Sequence, residues 1–313
     1  MSELRLAFLG CGAATLTHSR TLMRIAPELL RCYASRFGEK AAGFNHRLQG
    51  AGWYNSYGTA LADERIDVVL IATPPSTHVR LALAALQSGK HVIVEKPAFL
   101  TMAEFDAVEL AAQQAGRQVL VAENYYYKPI ARRLHQIVAD GDIGELRFAF
   151  INALKWQRTA GWRSDASLAG GGPLFEGGIH WINLVANLGP ELRSLDIAEC
   201  GSPMTSVVTA RFANGATAVL AYSWELRSLL RGLRLSRIYG THGSIAFESN
   251  GLFLFVNGRR RHLAFPELQD LAGYRAMFRD FLAGLRAGRP PEFTLSGARR
   301  DVQLLTTSGL ATA

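Results

Sequence analysis

Short apolar runs alternate with helix-length segments from Leu4 to Ala122. Such runs, rich in β-branched and aromatic residues, are typical of a parallel sheet whose strands are joined by crossover helices. The pattern therefore predicts a doubly wound α/β domain. Its predicted strands are Leu4–Leu9, Leu29–Ala34, Asp67–Ala72, His91–Val94 and Gln118–Ala122.

Two of the intervening segments carry clear helix signals. Thr77–Gln87 is rich in alanine and leucine and is closed by Gly89, and Thr101 precedes Glu104 by three residues, which is the spacing of a capping box. Both segments are predicted helices.

The pattern changes after Pro129. A predicted helix at Ile130–Ala139 is followed by longer strands, among them Ser206–Phe212 and Thr217–Trp224 on either side of an Asn-Gly turn. We therefore expect residues 1–123 to form one domain. Residues 124–313 should form a second, α+β domain with a large, mostly antiparallel sheet, and the last helices are candidates to pack back on the first domain.

Composition narrows the class of protein. The 313 residues are 49% hydrophobic and 19% charged, and no apolar run reaches the roughly 18 residues of a membrane span. Three unpatterned cysteines and a first segment without signal-peptide features favour the cytoplasm. The net charge of +8 is scattered and lacks a recognition motif. We therefore expect an anionic small molecule, and neither nucleic acid nor a membrane, as partner.

Two glycines follow the first predicted strand. Gly10 and Gly12 allow a tight turn and bring main-chain N–H groups against a phosphate at the next helix N-terminus. The third position of this fingerprint carries Thr15 instead of glycine or alanine, so an ordinary strand–helix turn is the alternative. The pattern predicts a dinucleotide site at Gly10, Gly12, Ala13 and Ala14.

The end of the second predicted strand indicates which dinucleotide binds. An NAD site usually offers a carboxylate there to the ribose 2′-hydroxyl, whereas this chain has Ser35 and Arg36. A guanidinium can bind a 2′-phosphate in bidentate fashion. The sequence therefore predicts a preference for NADP(H) over NAD(H), and the alternative is that Arg36 is a solvated loop cation.

Two more loops lie where predicted strands end, at the ligand crevice of such a sheet. In Ala72–His78 the prolines and the helix cap give a structural explanation, and a cofactor contact is equally open. Val94–Pro97 presents Glu95 and Lys96, for which a purely structural explanation is weaker.

The stretch from Gly170 to Asn183 is rich in glycine and carries Glu176 and His180. On a helix these two side chains lie one turn apart on the same face, so both can address one reacting centre. A metal pair and a structural acid–imidazole pair are the alternatives. Since no third ligand stands at a helpful local spacing, we expect no metal.

Seven segments occur together in the order and approximate spacing of a known family. The chain resembles the Gfo/Idh/MocA oxidoreductases over nearly its whole length. The segments are GCGAATLTH, ATPPSTH, VEKP, GDIGEL, the Trp162-Arg163 pair, GGGPLFEGGIH and YGTHGSIAFE.

The resemblance implies a catalytic role for three residues. His180 would serve as acid/base beside Lys96 and Glu176, in a cleft that faces the nicotinamide. Glu176 stands where the family usually has Asp, and Asn183 replaces a frequent acid. Gly177 and Gly178 would then keep the backbone slim where nicotinamide or substrate packs.

The resemblance also implies the rest of the site. Its fold is a Rossmann dinucleotide-binding domain followed by the α+β domain, and an exposed sheet face in that second domain favours a homodimer or homotetramer. Tyr125 and Tyr126 are candidate substrate contacts, although interdomain packing of these tyrosines is equally open. The candidate substrate residues are Lys96, Tyr125, Tyr126, Glu176 and His180. The candidate cofactor residues are Gly10, Gly12, Ala13, Ala14, Ser35, Arg36, Thr73, Pro74, His78, Glu95, Lys96, Asn124, Trp162 and Arg163.

These features predict an NADP-dependent oxidoreductase that interconverts a secondary alcohol and a ketone on a sugar, a polyol or a related cyclic compound. Two alternatives remain open at this point. One is a glycosidase that uses tightly held NAD for transient oxidation and elimination, and the other is a non-catalytic dinucleotide-binding regulator.

Overall fold

The computed structural model describes residues 4–158, 171–227 and 233–308. These residues form two compact units. The first contains the chain up to Glu123 together with Tyr274–Arg299, and the second contains Asn124–Gly273 and the chain from Arg300 onward.

A six-stranded parallel sheet forms the centre of the first unit. The spatial order of its strands is β3-β2-β1-β4-β5-β6, and all five predicted strands are present within a residue or two of their predicted ends. The edge strand β3 escaped prediction because it is only three residues long. The strands are β1 (Arg5–Leu9), β2 (Leu30–Ala34), β3 (Gly52–Tyr54), β4 (Val68–Ile71), β5 (His91–Glu95) and β6 (Val119–Ala122).

Five helices connect these strands. The predicted capping box is confirmed, because Thr101 accepts a hydrogen bond from the main chain of Glu104 while the Glu104 side chain accepts one from Thr101. A short 3-10 turn, Pro75–Thr77, precedes the fourth helix. The helices are α1 (Ala13–Ile25), α2 (Gly38–Arg47), α3 (Tyr57–Ala62), α4 (His78–Gln87) and α5 (Met102–Ala115).

An eight-stranded sheet forms the centre of the second unit. Its order is β14-β13-β12-β11-β7-β10-β9-β8, and every neighbouring pair is antiparallel except β7 with β10. The predicted hairpin is present, with Gly215 at a positive φ of 82°. The strands are β7 (Leu146–Leu154), β8 (Leu192–Glu199), β9 (Thr205–Phe212), β10 (Thr217–Ser223), β11 (Leu235–Gly240), β12 (Ser244–Glu248), β13 (Leu254–Asn257) and β14 (Arg261–Ala264). The predicted fold class is therefore confirmed.

Two helices of the second unit follow or carry candidate residues along the chain. Helix α6 (Pro129–Ala139) begins at a proline, and α7 (Ile179–Ala186) continues from a π-helical turn, Leu174–Gly178. Helix α8 (Tyr274–Ala287) belongs to the first unit, and α9 (Leu295–Thr307) begins in the first unit and ends in the second.

The two faces of the large sheet differ in burial. Ala149, Ile151, Ile238, Ile245 and Val256 are fully buried and alternate along their strands with half-buried or exposed residues. The opposite face carries large exposed apolar side chains, and we call it the open face. Its exposed members are Phe148, Leu235, Tyr239, Phe255 and Leu263.

The helices found in residues 4–158, 171–227 and 233–308 are all too short or too polar to cross a membrane.

Candidate active site

A strained glycine turn joins β1 to α1. Gly10 has φ 109°, and a Cβ at this position would lie 2.5 Å from the main-chain oxygen of Ala72. Thr15, at the unusual third position of the fingerprint, donates its hydroxyl hydrogen to the Gly10 carbonyl at 2.6 Å. The residue that departs from the glycine pattern therefore braces the turn.

The N-terminus of α1 fits an anionic group. Gly12 occupies the N-cap position, and a Cβ there would have no atom of the described residues within 4 Å. The first turn begins with two alanines and contains no acid, so its main-chain N–H groups are not blocked by side chains. Unpaired N–H groups and the helix dipole together favour a phosphate at such a position.

Cys11 lies between the two glycines but adds no charge to the turn. Its thiol is buried against the Ala34 carbonyl, with Sγ and the oxygen 3.7 Å apart. Burial raises the pKa of Cys11 to about 11, against a smaller opposing effect of Lys40. The neutral thiol leaves the turn open to an anion.

Ser35 and Arg36 follow β2 directly. Ser35 is buried and its Oγ accepts a hydrogen bond from the Phe37 main chain, while Arg36 is exposed. Burial raises the pKa of Tyr57, and Arg36 and Arg80 oppose that rise, so both cations lie near this phenol. Sequence reasoning missed Arg80, which lies in the first turn of α4 and belongs to none of the motifs.

His78 ties together the loops after β4 and β5. Its Nε2 lies 2.9 Å from the Thr73 carbonyl, and its Nδ1 lies 3.0 Å from the carbonyl of Pro97 and 3.1 Å from that of Ala98. Burial lowers the pKa of His78, and these carbonyls pull in the opposite direction. The ring, only 1% exposed, thus braces both loops, and Thr73 and Pro74 are held in the first of them.

Glu95 is held by a histidine that sequence reasoning did not assign. The Nε2 atom of His18, from α1, contacts Glu95 Oε1, and His18 itself packs edge-on against Tyr274 and Phe278. Burial would raise the pKa of Glu95, but the His18 contact and the Lys96 charge outweigh it and lower the pKa to about 2. Glu95 therefore remains a carboxylate.

Lys96 is positioned by this carboxylate. The main-chain N–H of Lys96 donates to Glu95 Oε2 at 3.1 Å, and the Lys96–Pro97 peptide bond is cis. His18 is the last residue of the GCGAATLTH segment. Because residues three and four apart share a helix face, its position four residues after Ala14 could have indicated a side chain that points back toward the turn.

In the second unit, His180 stacks on Tyr125. The two rings are nearly parallel, at 10°, with their centres 4.2 Å apart. Tyr126 instead packs edge-on against Tyr127, and the side chain of Asn124 donates to the Ala272 carbonyl at 2.6 Å. Tyr125 thus touches a proposed catalytic side chain.

Glu176 lies in the π-helical turn that precedes α7. It is 4% exposed, and its carboxylate and Tyr125 both act on Tyr222 of β10, whose pKa burial raises well above its usual value. Turns of this type are frequent at functional sites. Glu176, Tyr125, Tyr222 and His180 therefore form one group within the second unit.

Close packing requires a glycine at position 177, directly after Glu176. A Cβ on Gly177 would lie 2.5 Å from the Tyr222 hydroxyl oxygen and 2.6 Å from Trp224 Cζ2. The packing of β10 and of the residue after it therefore explains a glycine at position 177. Gly171 and Gly172 have positive φ values of 152° and 76°.

Asn183 points into a buried polar contact with the C-terminal helix. Its amide donates to Asp301 Oδ2 at 2.6 Å, and Asp301 also forms an ion pair with Arg300. Both Asn183 and Asp301 are almost completely buried. An acid thus stands opposite position 183 on another helix.

Two predicted cofactor residues, Trp162 and Arg163, lie outside the described residues. In the part of the chain that the structure does describe, no three potential metal-ligating side chains lie close enough to hold a metal ion.

A parallel sheet with a glycine turn at a helix N-terminus defines a dinucleotide-binding protein of the Rossmann class. An oxidoreductase family model with the NAD-binding Rossmann fold matches residues 4–123, and the Gfo/Idh/MocA C-terminal domain model matches residues 131–246. The chain is 30% identical to the uncharacterised oxidoreductase ORF334 of Rhizobium meliloti, over 87% of this chain and 85% of that protein. The chain belongs to the Gfo/Idh/MocA oxidoreductase family and is an NAD(P)-binding oxidoreductase.

Solved structures share this fold. An aldose-aldose oxidoreductase from Caulobacter crescentus, complexed with glycerol, has a TM-score of 0.84 at 22% identity, covering 98% of this chain and 96% of its own. A levoglucosan dehydrogenase, in complex with NADH and levoglucosan, has a TM-score of 0.85 at 22% identity, covering 98% and 97%.

Gly177→Ala should destabilise the second unit although alanine is the better helix former. We expect a loss of about 1 to 3 kcal/mol in the free energy of unfolding, because the added methyl group overpacks against Tyr222 and Trp224. The matched control is Gly43→Ala on the exposed side of α2, where the Cβ meets open space, and it should stabilise by about 0.4 to 1 kcal/mol. Urea unfolding followed by tryptophan fluorescence measures both. Equal stability of the Gly177 variant and the unmodified protein would contradict the packing explanation.

Proposed function

We propose that this protein is an NADP(H)-dependent oxidoreductase that interconverts a secondary alcohol and a ketone on a sugar, a polyol or a related cyclic compound. Two sets of residues carry the proposal. In the first unit, Lys96 lies in a loop that His78 and Glu95 hold in place. In the second unit, Glu176 and His180 lie one helical turn apart. Lys96 follows β5 at the carboxyl edge of the parallel sheet, where open α/β sheets bind ligands. The substrate class is supported by fold relatives named for an aldose and for levoglucosan.

The cofactor would be held by the glycine turn and the end of β2. Gly10 and Gly12 would receive the pyrophosphate, and Ser35 and Arg36 would receive the adenosine ribose and its phosphate. When bound, the nicotinamide supplies hydride transfer to or from the substrate carbon.

The chain's own residues handle the proton and the oxygen. His180 takes the hydroxyl proton during oxidation and returns it during reduction, since an imidazole titrates near neutral pH. The Lys96 ammonium stabilises negative charge that develops on the substrate oxygen. Glu176 orients His180 or accepts a hydrogen bond from another substrate hydroxyl.

The preference for NADP(H) follows from the charge near β2. Arg36 and Arg80 both act on Tyr57, and Ser35 stands where NAD sites usually offer a carboxylate. Two guanidinium groups can share one phosphate, and each charge-assisted bond adds affinity that NAD(H) cannot gain.

The open face supports self-association of the protein. Phe148 and Tyr239 stack on it with ring centres 6.3 Å apart, and Phe255 pairs across strands with Leu263. Exposed apolar surface of this kind marks interaction sites. A homodimer or homotetramer that buries this face is the proposed assembly.

Replacing Lys96 or His180 with Ala should lower turnover by about 10²- to 10⁴-fold, the usual contribution of a general acid/base, because their roles act on charge in the transition state. Dinucleotide affinity should stay within about threefold, since neither residue is needed to hold the phosphates. A screen of sugars, polyols and cyclic ketones, read by nicotinamide absorbance, first identifies the substrate. His46→Ala, in exposed α2, is the control for loss of an imidazole.

Two outcomes would contradict this assignment. Near-normal turnover in both variants would remove the proposed catalytic roles. Sugar release without net cofactor turnover would instead indicate a redox-elimination glycosidase.

NADP(H) should bind more tightly than NAD(H), and Arg36→Ala should weaken NADP(H) by at least about tenfold, since a charge-assisted bond contributes roughly 1.5 to 3 kcal/mol. Ser35→Asp should invert the preference by adding repulsion. The control is Arg47→Ala, which removes an exposed charge at the far end of α2, the helix that follows Arg36. It should change the affinity for neither NADP(H) nor NAD(H). Fluorescence titration with both cofactors measures this, and tighter NAD(H) binding by the unmodified protein would refute the phosphate assignment.

Introducing charge on the open face should dissociate the assembly. Phe148→Glu combined with Phe255→Glu should shift the protein to monomers, because two carboxylates would be buried at the interface. Leu110→Glu, at another exposed leucine in the first unit, should leave the mass unchanged. Light scattering on a sizing column measures the mass, and a monomeric unmodified protein or an unchanged double variant would count against this interface.

A further inference from the structure

Tyr125 has two neighbours that can each carry a positive charge. The His180 imidazole lies parallel to the Tyr125 ring, with the two centres 4.2 Å apart, and the Lys128 ammonium lies 4.3 Å from the same ring centre. Trp181 closes the group edge-on to Tyr125 at 5.3 Å. We call Lys128, Tyr125 and His180 the cation–tyrosine–imidazole stack.

The local backbone explains why these two side chains reach one place. The main-chain N–H of Lys128 donates to the Tyr125 carbonyl at 3.2 Å, which closes a turn directly before Pro129 begins α6. Lys128 is only 5% exposed, so its charge is poorly screened by solvent. The sequence ENYYYKP thus places the buried Lys128 cation beside the Tyr125 ring, on which the His180 imidazole stacks.

The face of an aromatic ring is electrically negative and attracts a nearby cation. Since Lys128 and His180 both lie over Tyr125, the two groups are closer together than the Debye length of about 10 Å at 0.1 M salt. Protonation of His180 would add a second cation to the same ring. The ring face attracts either cation, but repulsion from the Lys128 ammonium opposes protonation of the imidazole.

We propose that Tyr125 and Lys128 are positioning residues for His180: Tyr125 fixes the plane of the imidazole, and Lys128 holds it in the neutral form that accepts a proton. This inference rests on the proposed function for the role of His180. It adds two residues that act through that imidazole, and it requires neither of them to touch the substrate.

Other charged or titratable groups surround the stack within the second unit. Glu176 precedes His180 by one turn and favours the imidazolium, while Arg234, whose guanidinium lies 5.8 Å from the Trp181 ring centre, opposes it. Tyr222 lies near Glu176 and Arg234. The effect of Lys128 must therefore be measured as a difference between variants.

An NMR titration of the full-length protein with isotope-labelled histidine tests the proposal without any substrate. The His180 signal is identified by its loss in His180→Gln. Lys128→Met removes the charge and keeps much of the side-chain volume, so it should raise the titration midpoint of His180 by about 0.5 to 1 pH unit, as loss of a nearby cation does.

Arg132→Met is the matched control. Arg132 stands one turn further along α6, and its guanidinium lies 5.2 Å from the centre of the Tyr127 ring instead of Tyr125. Its loss removes the same net charge and should move the His180 midpoint much less. An unchanged midpoint in Lys128→Met, or an equal shift in Arg132→Met, would overturn the role of Lys128.

A second pair of variants keeps the test decisive if Lys128→Met does not fold. Tyr125→Phe retains the ring and should preserve the upfield ring-current shift of the His180 protons, whereas Tyr125→Leu should abolish it. Identical His180 shifts in both variants would overturn the role of Tyr125.

Kinetics separate this inference from the proposed function. With an identified alcohol substrate, the acidic limb of the kcat/KM profile for oxidation should move to higher pH in Lys128→Met, by the amount seen in the NMR titration. If His180→Gln retains turnover, the proposed function fails, while the titration still decides whether the stack controls the imidazole.

Discussion

The hydrogen-bond register of the parallel sheet decides where the chemistry of the first unit lies. Leu9 pairs with Ala34 on one side and with Ile71 on the other, and Ile71 pairs in turn with Val94. Parallel strands in such a register end level with one another. The loops after these strands therefore begin within about one residue of one another at the same edge, and the candidate cofactor residues before Asn124 lie in these loops or next to them.

Loops that end level also crowd one another, and buried polar contacts resolve the crowding. Gly10 has no room for a side chain because the Ala72 carbonyl lies beside it. The His78 ring lies against three carbonyls of the loops after β4 and β5, and His18 contacts Glu95 from the adjacent helix. Buried carbonyls and carboxylates need such partners. The backbone at Lys96 is therefore fixed by the contacts of His78 and Glu95, which involve no substrate.

Sequence patterns predicted the features that depend on neighbours along the chain. The strands, the capping box at Thr101 and the hairpin at Gly215 are local signals, and the structure contains each of them. Contacts between segments distant in the chain could not be predicted from these local patterns. The hydrogen bond from Thr15 to Gly10 was not predicted, because Thr15 only appeared as a departure from the expected small residue. The packing that requires Gly177 involves Tyr222, on a strand more than forty residues away.

The same distinction explains the departure from the family pattern at Asn183. An aspartate at this position would place a second carboxylate about as close to Asp301 as the present amide, whose nitrogen lies 2.6 Å from that acid. Two carboxylates sharing a buried site cannot both ionise, so one would have to retain a proton. An amide avoids the repulsion and donates a hydrogen bond to the charged partner. Asn183 is therefore explained by the acid on α9, which lies opposite it in the buried interior of the second unit.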